Sequence, residues 1–333
     1  IWGAIDGLVK SLGDPYSVFL PPDDNELFQE EIRGDFGGVG MEIGVRNDWL
    51  TVIAPLPNTP AKRAGILAGD QIIQIDDAVV VDTNIEKAIK LIRGPSGSKV
   101  RLTIKRERES RPLEFVLIRE QIQVPTIDRQ VVAGDVFLIR LYNFGATADQ
   151  LFRQAIGEFK NRGLHKLVID LRGNPGGYLD VAVDIASWFL PEGTVVAIED
   201  HGGDIPPRLY KSRGYYNFGP NLQLIVLVDG GSASASEILA GALSEHRVAT
   251  LVGETTFGKG SVQELIGVTD DTALKITVAR WLTPKGVSIA PAGLKPDVAV
   301  ALATTTAGLS KLEISSDTQL QAALKILESN NRP

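Results

Sequence analysis

The spacing of hydrophobic positions divides the chain into four segments. Residues 1–33 have apolar positions at helical spacing, interrupted by three prolines, which predicts a helical N-terminal segment with a break. In residues 34–121 apolar and polar positions alternate over short runs, which is typical of a β-rich module. From 122 to 315 continuous apolar runs alternate with helical patterns, and residues 316–333 predict a terminal helix and tail.

The β-rich segment predicts its elements in a definite order. A glycine-rich loop in GDFGGVGMEIGV leads into a first strand, and TNIEKAIKLIRG predicts an amphipathic helix at 84–93 that ends at Gly94. SKVRLTIKRE and LEFVLIRE alternate with period two and predict a hairpin. A small β-barrel without a ligand and a peptide-binding module both fit this order.

The segment from 122 to 315 predicts an α/β core. Strands such as HKLVIDLR alternate with helices such as SEILAGALSEH. This alternation, with continuous apolar strands, favours a parallel or mixed sheet covered on both faces. The longest apolar run, at 222–229, has the length of a buried strand and is much shorter than the roughly 18–20 residues that span a bilayer.

Composition narrows the chemistry. At 44% hydrophobic and 23% charged residues, the chain suits a globular protein, and its net charge of −7 argues against nucleic acid as a partner. The absence of cysteine excludes disulfides, thiolate nucleophiles and cysteine zinc sites. The histidines His165, His201 and His246 lack the spacing of a metal site, so we predict neither a metal nor a cofactor.

A serine-rich turn, GGSASASEI, follows the apolar run at 222–229 and precedes a predicted helix. A turn of this kind can hold a nucleophile at the carboxyl edge of a sheet, and the helix N-terminus offers N–H groups to an oxyanion. Spacing alone leaves Ser232, Ser234 and Ser236 as alternatives. Ser234 and Glu237 also fit a capping box, in which the serine only caps the helix.

A serine nucleophile needs a base. His246 follows Ser234 by 12 residues in a predicted helix, which is roughly 18 Å along the axis and too far for a hydrogen bond. We interpret His246 as a residue that neutralises the C-terminus of the helix. Lys259, between two glycines in TFGKGS, is the better candidate. A neutral lysine requires a pKa lowered by about 3, at a cost of about 4 kcal/mol, and therefore burial; an exposed loop lysine is the alternative.

The sequence DLRGNPGG, at 170–177, is a third candidate element because it joins a strand to a helix through Gly176 and Gly177. Glycines there let a backbone N–H approach a ligand closely. A carbonyl oxygen between this N–H and that of Ala235 would lie in an oxyanion hole. A plain strand-to-helix turn is the alternative.

Seven segments together resemble the C-terminal processing proteases, also called tail-specific proteases, and the resemblance covers nearly the whole chain. They occur in the order of that family: DPYSVFLPP, GGVGMEI with TPAKRAGI, DLRGNPGGYL, DGGSASASEILAGAL, VGETTFGKGSVQ and TPKGVSIAPAGLKPDV. The resemblance implies a crotonase-like α/β protease core preceded by a PDZ-like β-rich domain and a helical N-terminal segment. It also implies a serine protease with a Ser–Lys dyad that forms an acyl-enzyme.

The resemblance assigns roles to individual residues. Ser234 matches the nucleophile, Lys259 the general base and Gln263 the residue that orients the lysine, while Gly176 and Ala235 match the oxyanion donors. Three residues match supporting positions near the dyad: Glu237, Glu245 and Thr256. Four residues match the tail-binding loop: Gly38, Val39, Gly40 and Met41. Glu245 stands where some relatives have aspartate. We also predict that Arg93, at the end of the PDZ helix, contacts the protease core.

The expected partners are unstructured C-terminal tails of proteins. A homodimer through the terminal segments is one option, and nucleic acid and obligatory membrane insertion are not expected. Because the chain begins at Ile1, we expect that a leader or anchor was removed and that the protein acts in the bacterial periplasm or on the extracytoplasmic face of the membrane. Two other readings are a tail-binding protein that does not cleave and a crotonase-like enzyme acting on acyl-CoA.

Overall fold

The computed structural model describes most of the chain. The described residues are 2–14, 16–33, 35–46, 49–56, 58–80, 85–107, 109–123, 126–215, 218, 221–301 and 317–329. None of the helices that these residues form is both long and apolar enough to cross a bilayer.

The described residues form helices and strands that are numbered in chain order. The helices are α1 (Trp2–Lys10), α2 (Pro22–Arg33), α3 (Pro60–Arg63), α4 (Ile85–Ile92), α5 (Ala148–Asn161), α6 (Leu179–Ala186), α7 (Ala235–Glu245) and α8 (Thr318–Ser329). The strands are β1 (Val18–Leu20), β2 (Asp35–Gly38), β3 (Met41–Arg46), β4 (Trp49–Pro55), β5 (Gln71–Ile75), β6 (Ala78–Val79), β7 (Lys99–Lys105), β8 (Leu113–Ile118), β9 (Glu120–Gln123), β10 (Ile127–Val132), β11 (Val136–Leu141), β12 (Lys166–Asp170), β13 (Val195–Asp200), β14 (Arg208–Lys211), β15 (Gln223–Val228), β16 (Thr250–Gly253), β17 (Ser261–Gly267), β18 (Ala273–Leu282) and β19 (Val298–Ala299).

These elements form two compact units. One contains the described residues of 1–34, 125–303 and 317–333, and the other contains those of 35–124. Helices α1, α2 and α8 thus belong to the same unit as β10–β19. The division into four segments made from the sequence stays a prediction.

The larger unit contains the predicted mixed sheet. Its strand order is β10-β11-β12-β15-β16-β19, and only the β10–β11 pair is antiparallel. Every residue of β12 is buried, as are residues 224–228 of β15, and continuous apolar strands suit a position that is buried on both faces. The parallel arrangement brings the carboxyl ends of β12 and β15 to the same edge, where their loops carry the candidate site.

The larger unit also contains a second sheet, which the sequence pattern did not predict. It has the order β1-β18-β13-β14, with β17 paired to β18 on the other side. All of its pairs are antiparallel. The sequence ALKITVARWL predicts a strand at β18, but it carries no information about which sheet that strand joins.

Aromatic side chains fill the core of the larger unit. Phe137 and Phe159 lie with ring centroids 5.7 Å apart, and Phe189 and Phe218 stack at 5.5 Å. Burial of each such ring stabilises the fold by roughly 1.5–3 kcal/mol. This packing fixes the strands whose ends carry the site.

The smaller unit is built on the sheet β3-β4-β5-β7-β8, with β6 paired to β5 and a separate β2–β9 pair. The predicted hairpin corresponds to β7 and β8, and the predicted helix to α4. Arg119 is buried and donates to the carbonyls of Leu91 and Ile92 at 2.8 Å. A cation at a helix C-terminus satisfies the last carbonyls, so Arg119 fixes the end of α4.

Candidate active site

The turn after β15 places Ser234 at the N-cap of α7. Its backbone has φ 55° and ψ −115°, a combination that a residue other than glycine adopts rarely. Such strain at a strand-to-helix turn is a feature of exposed nucleophiles, because it directs the side chain outward from the sheet edge.

The three serines of the turn have different surroundings. Ser232 is fully buried and its hydroxyl donates to the carbonyl of Leu171 at 2.8 Å. Ser236 is also fully buried and donates to the carbonyl of Asn174 at 2.9 Å. Ser234 is half-buried. The two buried hydroxyls therefore hold the turn together, and Ser234 has access to a substrate.

The carboxylate of Glu237 joins the serine turn to the lysine loop. It is fully buried, and it accepts the N–H of Ser234 at 3.0 Å and the N–H of Lys259 at 3.0 Å. It also accepts the hydroxyl of Thr256 at 2.6 Å and the N–H of Gly258 at 2.7 Å. Four donors satisfy both oxygens, which stabilises the buried negative charge and fixes the two loops relative to each other.

Lys259 is half-buried in the loop between β16 and β17. The flanking glycines allow close backbone approach: a Cβ at Gly258 would lie 2.5 Å from the carbonyl oxygen of Pro291, and one at Gly260 would lie 2.5 Å from the nitrogen of Ala290. The side-chain amide of Gln263 donates to Ser261 Oγ at 3.3 Å. The predicted orientation of Lys259 by Gln263 stays a prediction.

The DLRGNPGG loop lies against the serine turn. Gly176 has φ +104°, and a Cβ there would lie 2.8 Å from both the Ala233 carbonyl oxygen and Ser234 Cβ. The N–H of Gly176, however, donates to Asn174 Oδ1 at 2.9 Å. Ala235 is buried as the first residue of α7. The predicted pair of oxyanion donors thus flanks Ser234, with one of its N–H groups bonded within the loop.

Sequence reasoning missed Asn174. This fully buried residue donates its side-chain amide to the Leu141 carbonyl at 2.8 Å. Its own carbonyl accepts the N–H of Ala233 at 3.0 Å and the hydroxyl of Ser236 at 2.9 Å. Asn174 therefore connects β11, the glycine loop and the serine turn. The available signal was an asparagine two residues before a glycine, because asparagine bonds to the backbone two residues on.

The contact at Gly176 predicts a specific sensitivity. Gly176→Ala should lower kcat about 10²-fold, because a methyl group there must displace the Ser234 turn and the candidate oxyanion donor. Gly173→Ala is the matched control, since Gly173 also has positive φ but open space around its Cβ position. Steady-state cleavage of an unstructured polypeptide measures both; equal losses in the two variants would contradict the contact argument.

Other predicted residues lie elsewhere. Glu245, at the far end of α7, is about 16 Å along the axis from Ser234 and accepts the N–H of Lys285 at 2.8 Å. The structure does not bring it to the serine. His246 places Nε2 2.8 Å from the Val195 carbonyl oxygen. The His246 ring is therefore in hydrogen-bond contact with β13. This contact is additional to the predicted role of His246 at the C-terminus of α7.

In the smaller unit, the predicted tail-binding loop connects β2 to β3. Val39 is buried, Gly40 has φ +71°, and a Cβ at Gly40 would lie 2.3 Å from Thr59 Cγ2. The Gly40 carbonyl accepts the N–H of Leu56 at 3.0 Å. Among the described residues, none accepts the N–H of Val39 or Gly40. The N–H groups of Val39 and Gly40 are therefore available as donors. The loop lies between Gly38, the last residue of β2, and Met41, the first residue of β3.

Arg93 follows α4 in the same unit. Its guanidinium lies over the ring of Phe36, 4.2 Å from the centroid, which fixes it by a cation–π contact to β2. The predicted contact of Arg93 with the protease core stays a prediction.

Known proteins share both sequence and fold with this chain. Residues 135–300 match peptidase family S41, and residues 51–106 match the PDZ domain family. A protein of Bartonella bacilliformis named carboxy-terminal-processing protease is 37% identical over 304 residues, which cover 90% of this chain and 69% of that protein.

The chain belongs to peptidase family S41. A probable CtpA-like serine protease of Staphylococcus epidermidis is 34% identical over 89% of this chain, and this S41 peptidase spans 60% of that relative's length. The solved structure of photosystem II D1 C-terminal processing protease superposes with a TM-score of 0.63 at 29% identity, covering 92% of this chain and 84% of that one. The predicted family resemblance is confirmed, as are a protease core and a PDZ domain in a mixed α/β fold.

Proposed function

We propose that this S41 peptidase cleaves proteins with Ser234 as nucleophile and Lys259 as general base. The observation that carries the proposal is the Glu237 carboxylate, which binds the backbone N–H of both residues and so holds the two loops together. The strained backbone of Ser234 and the burial of the two neighbouring serine hydroxyls support the same choice.

The proposed reaction has two stages. Neutral Lys259 accepts the hydroxyl proton of Ser234 while Oγ attacks the scissile carbonyl carbon, and the C–N bond breaks as the lysine returns that proton to the leaving amine. Water then attacks the acyl-enzyme with the lysine again as base, which releases the new carboxyl end and regenerates the serine. Glu237 and Thr256 act in this scheme as positioning residues.

The proposed oxyanion hole is formed by the N–H groups of Gly176 and Ala235. Both flank Ser234, and Ala235 begins α7, whose N-terminus favours negative charge. Gly176 must exchange its bond to Asn174 Oδ1 for one to the substrate oxygen. The arrangement described is therefore a resting one, and productive binding completes the hole.

The proposed substrates are unstructured C-terminal tails of proteins. The PDZ match and the N–H donors of the Gly38–Met41 loop support capture of a terminal carboxylate. A tail that pairs with β3, an edge strand, would lie beside α4. We include in the same proposal a crotonase-like core and an extracytoplasmic location in a bacterium. The relatives in Bartonella and Staphylococcus support the bacterial part of it.

The decisive experiment combines cleavage with labelling. The protein is incubated with an unstructured polypeptide ending in small apolar residues, and separately with a small fluorophosphonate that reacts with activated serines. We expect cleavage and a label on Ser234, both lost in Ser234→Ala. Ser244→Ala, at the other end of the same helix, should retain both.

Two results would overturn the proposal. Cleavage that persists in Ser234→Ala means that another residue is the nucleophile. If the intact protein binds the tail but neither cleaves it nor becomes labelled, the chain is a tail-binding protein. The hydrogen bond from Gly176 to Asn174 Oδ1 would then not be exchanged for one to a substrate.

A further inference from the structure

Strand β17 begins two residues after Lys259 and forms an open edge. Its neighbour on one side is β18, and no other strand of the described part of the chain pairs with it. An open edge offers a row of N–H and C=O groups to another extended chain. Because β17 continues directly from the loop that carries Lys259, the direction of its backbone N–H and C=O groups decides whether a substrate chain can pair beside that lysine.

The hairpin end shows which residues of β17 face β18. The N–H of Val268 donates to the Thr272 carbonyl at 3.0 Å, so Val268 points toward the partner strand. In an antiparallel pair this direction alternates along the strand. Ile266 and Glu264 therefore also direct their backbone groups to β18, and Leu265 and Gly267 direct theirs to the open edge.

A separate hydrogen bond leads to the same assignment. Thr277 of β18 is the partner of Gln263, and its N–H donates to Ser17 Oγ at 3.0 Å, on the side next to β1. Because Thr277 points away from β17, its pair with Gln263 is one without mutual hydrogen bonds. The backbone of Gln263 therefore faces outward, as does that of Leu265.

The sequence of β17 lacks two kinds of residue that often protect such strands. Native edges are often blocked by lysine, by proline or by a covering element. The sequence of β17, SVQELIG, has neither lysine nor proline. Leu265 is 37% exposed and Ile266 is 42% exposed, although both are apolar. An edge with exposed apolar side chains next to the proposed catalytic loop is the expected property of a substrate-binding strand.

We propose that the scissile segment of an unfolded polypeptide adds to β17 as a strand, bonded to the outward backbone groups of Gln263, Leu265 and Gly267. This inference rests on the proposed dyad, because it concerns how the substrate reaches it. Backbone pairing tolerates many side chains and requires an extended chain. The core therefore selects unfolded segments of varied sequence, independently of the tail bound by the PDZ domain.

One experiment scans the substrate and leaves the enzyme unchanged. A set of peptides carries a single N-methyl group at successive positions around the cleaved bond. Pairing with β17 predicts that kcat/KM falls about tenfold or more at alternate positions, because only every second N–H faces the strand. A smooth or side-chain-dependent profile without period two would overturn the proposal.

The second experiment alters the strand. Leu265→Pro removes an outward donor, and proline is tolerated at edge positions where no ladder bond is lost. We expect kcat/KM at least fivefold below that of Leu265→Ala, which keeps the N–H, while Ile266→Ala stays near wild type. Thermal melting checks the fold. Equal values for Leu265→Pro and Leu265→Ala would refute the pairing.

The outcome is separable from that of the proposed dyad. Fluorophosphonate labelling of Ser234 in the unaltered protein needs no extended substrate. If this label is absent, the dyad is wrong. If the label is present and the N-methyl scan shows no alternation, only the strand pairing is wrong.

Discussion

Lys259→Ala is expected to lower kcat for an unstructured polypeptide by about 10⁴-fold or more. A serine hydroxyl is a weak nucleophile without a base, and general-base catalysis alone contributes about 10²–10⁴-fold. The loss should exceed this range because in the proposed reaction the lysine also protonates the leaving amine, and residues that act as one unit show large single-mutant effects. KM should change little, since the proposed role of the lysine concerns the reacting atoms.

Two comparisons isolate the base. Lys259→Arg keeps a positive charge that does not dissociate near neutral pH, so it should be as inactive as alanine. Lys285→Ala, in an exposed turn, should retain wild-type rates. Because only neutral lysine accepts a proton, kcat of the wild type should rise with pH along one ascending limb. Activity of Lys259→Ala within tenfold of wild type would exclude the lysine as base.

The second large effect concerns stability. Asp317→Ala should lower the free energy of unfolding by about 3–5 kcal/mol, because it leaves the buried guanidinium of Arg172 without one of its two carboxylates. Arg172 donates to Asp317 at 2.7 and 2.9 Å and to Asp170 at 2.7 and 2.8 Å. Denaturant unfolding measures the change, and the exposed pair Asp6–Lys10 provides the control, with less than about 1 kcal/mol expected for Asp6→Ala.

The same ion pair makes stability depend on acid. Burial opposes ionisation of Asp317, but the hydrogen bonds and charge of Arg172 outweigh it and hold the pKa of the carboxyl below its usual value. A carboxyl whose pKa is lower in the folded state contributes stability at pH values above its unfolded pKa, and this contribution is lost as pH falls through the folded pKa. Asp317→Ala should therefore reduce the acid dependence of unfolding. If the free energy of unfolding of Asp317→Ala depended on pH as strongly as that of the wild type, Asp317 would not be a source of the acid dependence.

Hydrophobic patterns predicted many of the individual helices and strands, because the periodicity of apolar residues depends on the local backbone conformation. Continuous apolar runs predicted the parallel strands, and the break before Ala235 predicted the start of α7. The second sheet could not be predicted, since β1, β13 and β18 meet through pairings between segments far apart in the sequence. Periodicity within a strand does not specify its partner.

The candidate site divides in the same way. The motifs of the family predicted Ser234 and Lys259 as the dyad, whereas Glu237 could only be matched as a supporting position. Its role as the acceptor of both backbone N–H groups depends on a loop 22 residues away. Asn174 was missed because its partners, such as the Leu141 carbonyl 33 residues earlier, are main-chain atoms that leave no mark in a side-chain pattern.

The pairing of Arg172 with Asp317 also bears on the order of events during folding. The two residues are separated by 145 positions, so closing this contact is among the slower steps that chain topology imposes. Arg172 lies in the same loop as Gly176, and that loop is anchored to α8 only when the contact has formed. A partly folded molecule would therefore lack the anchor of the loop that carries Gly176, a residue of the proposed active site.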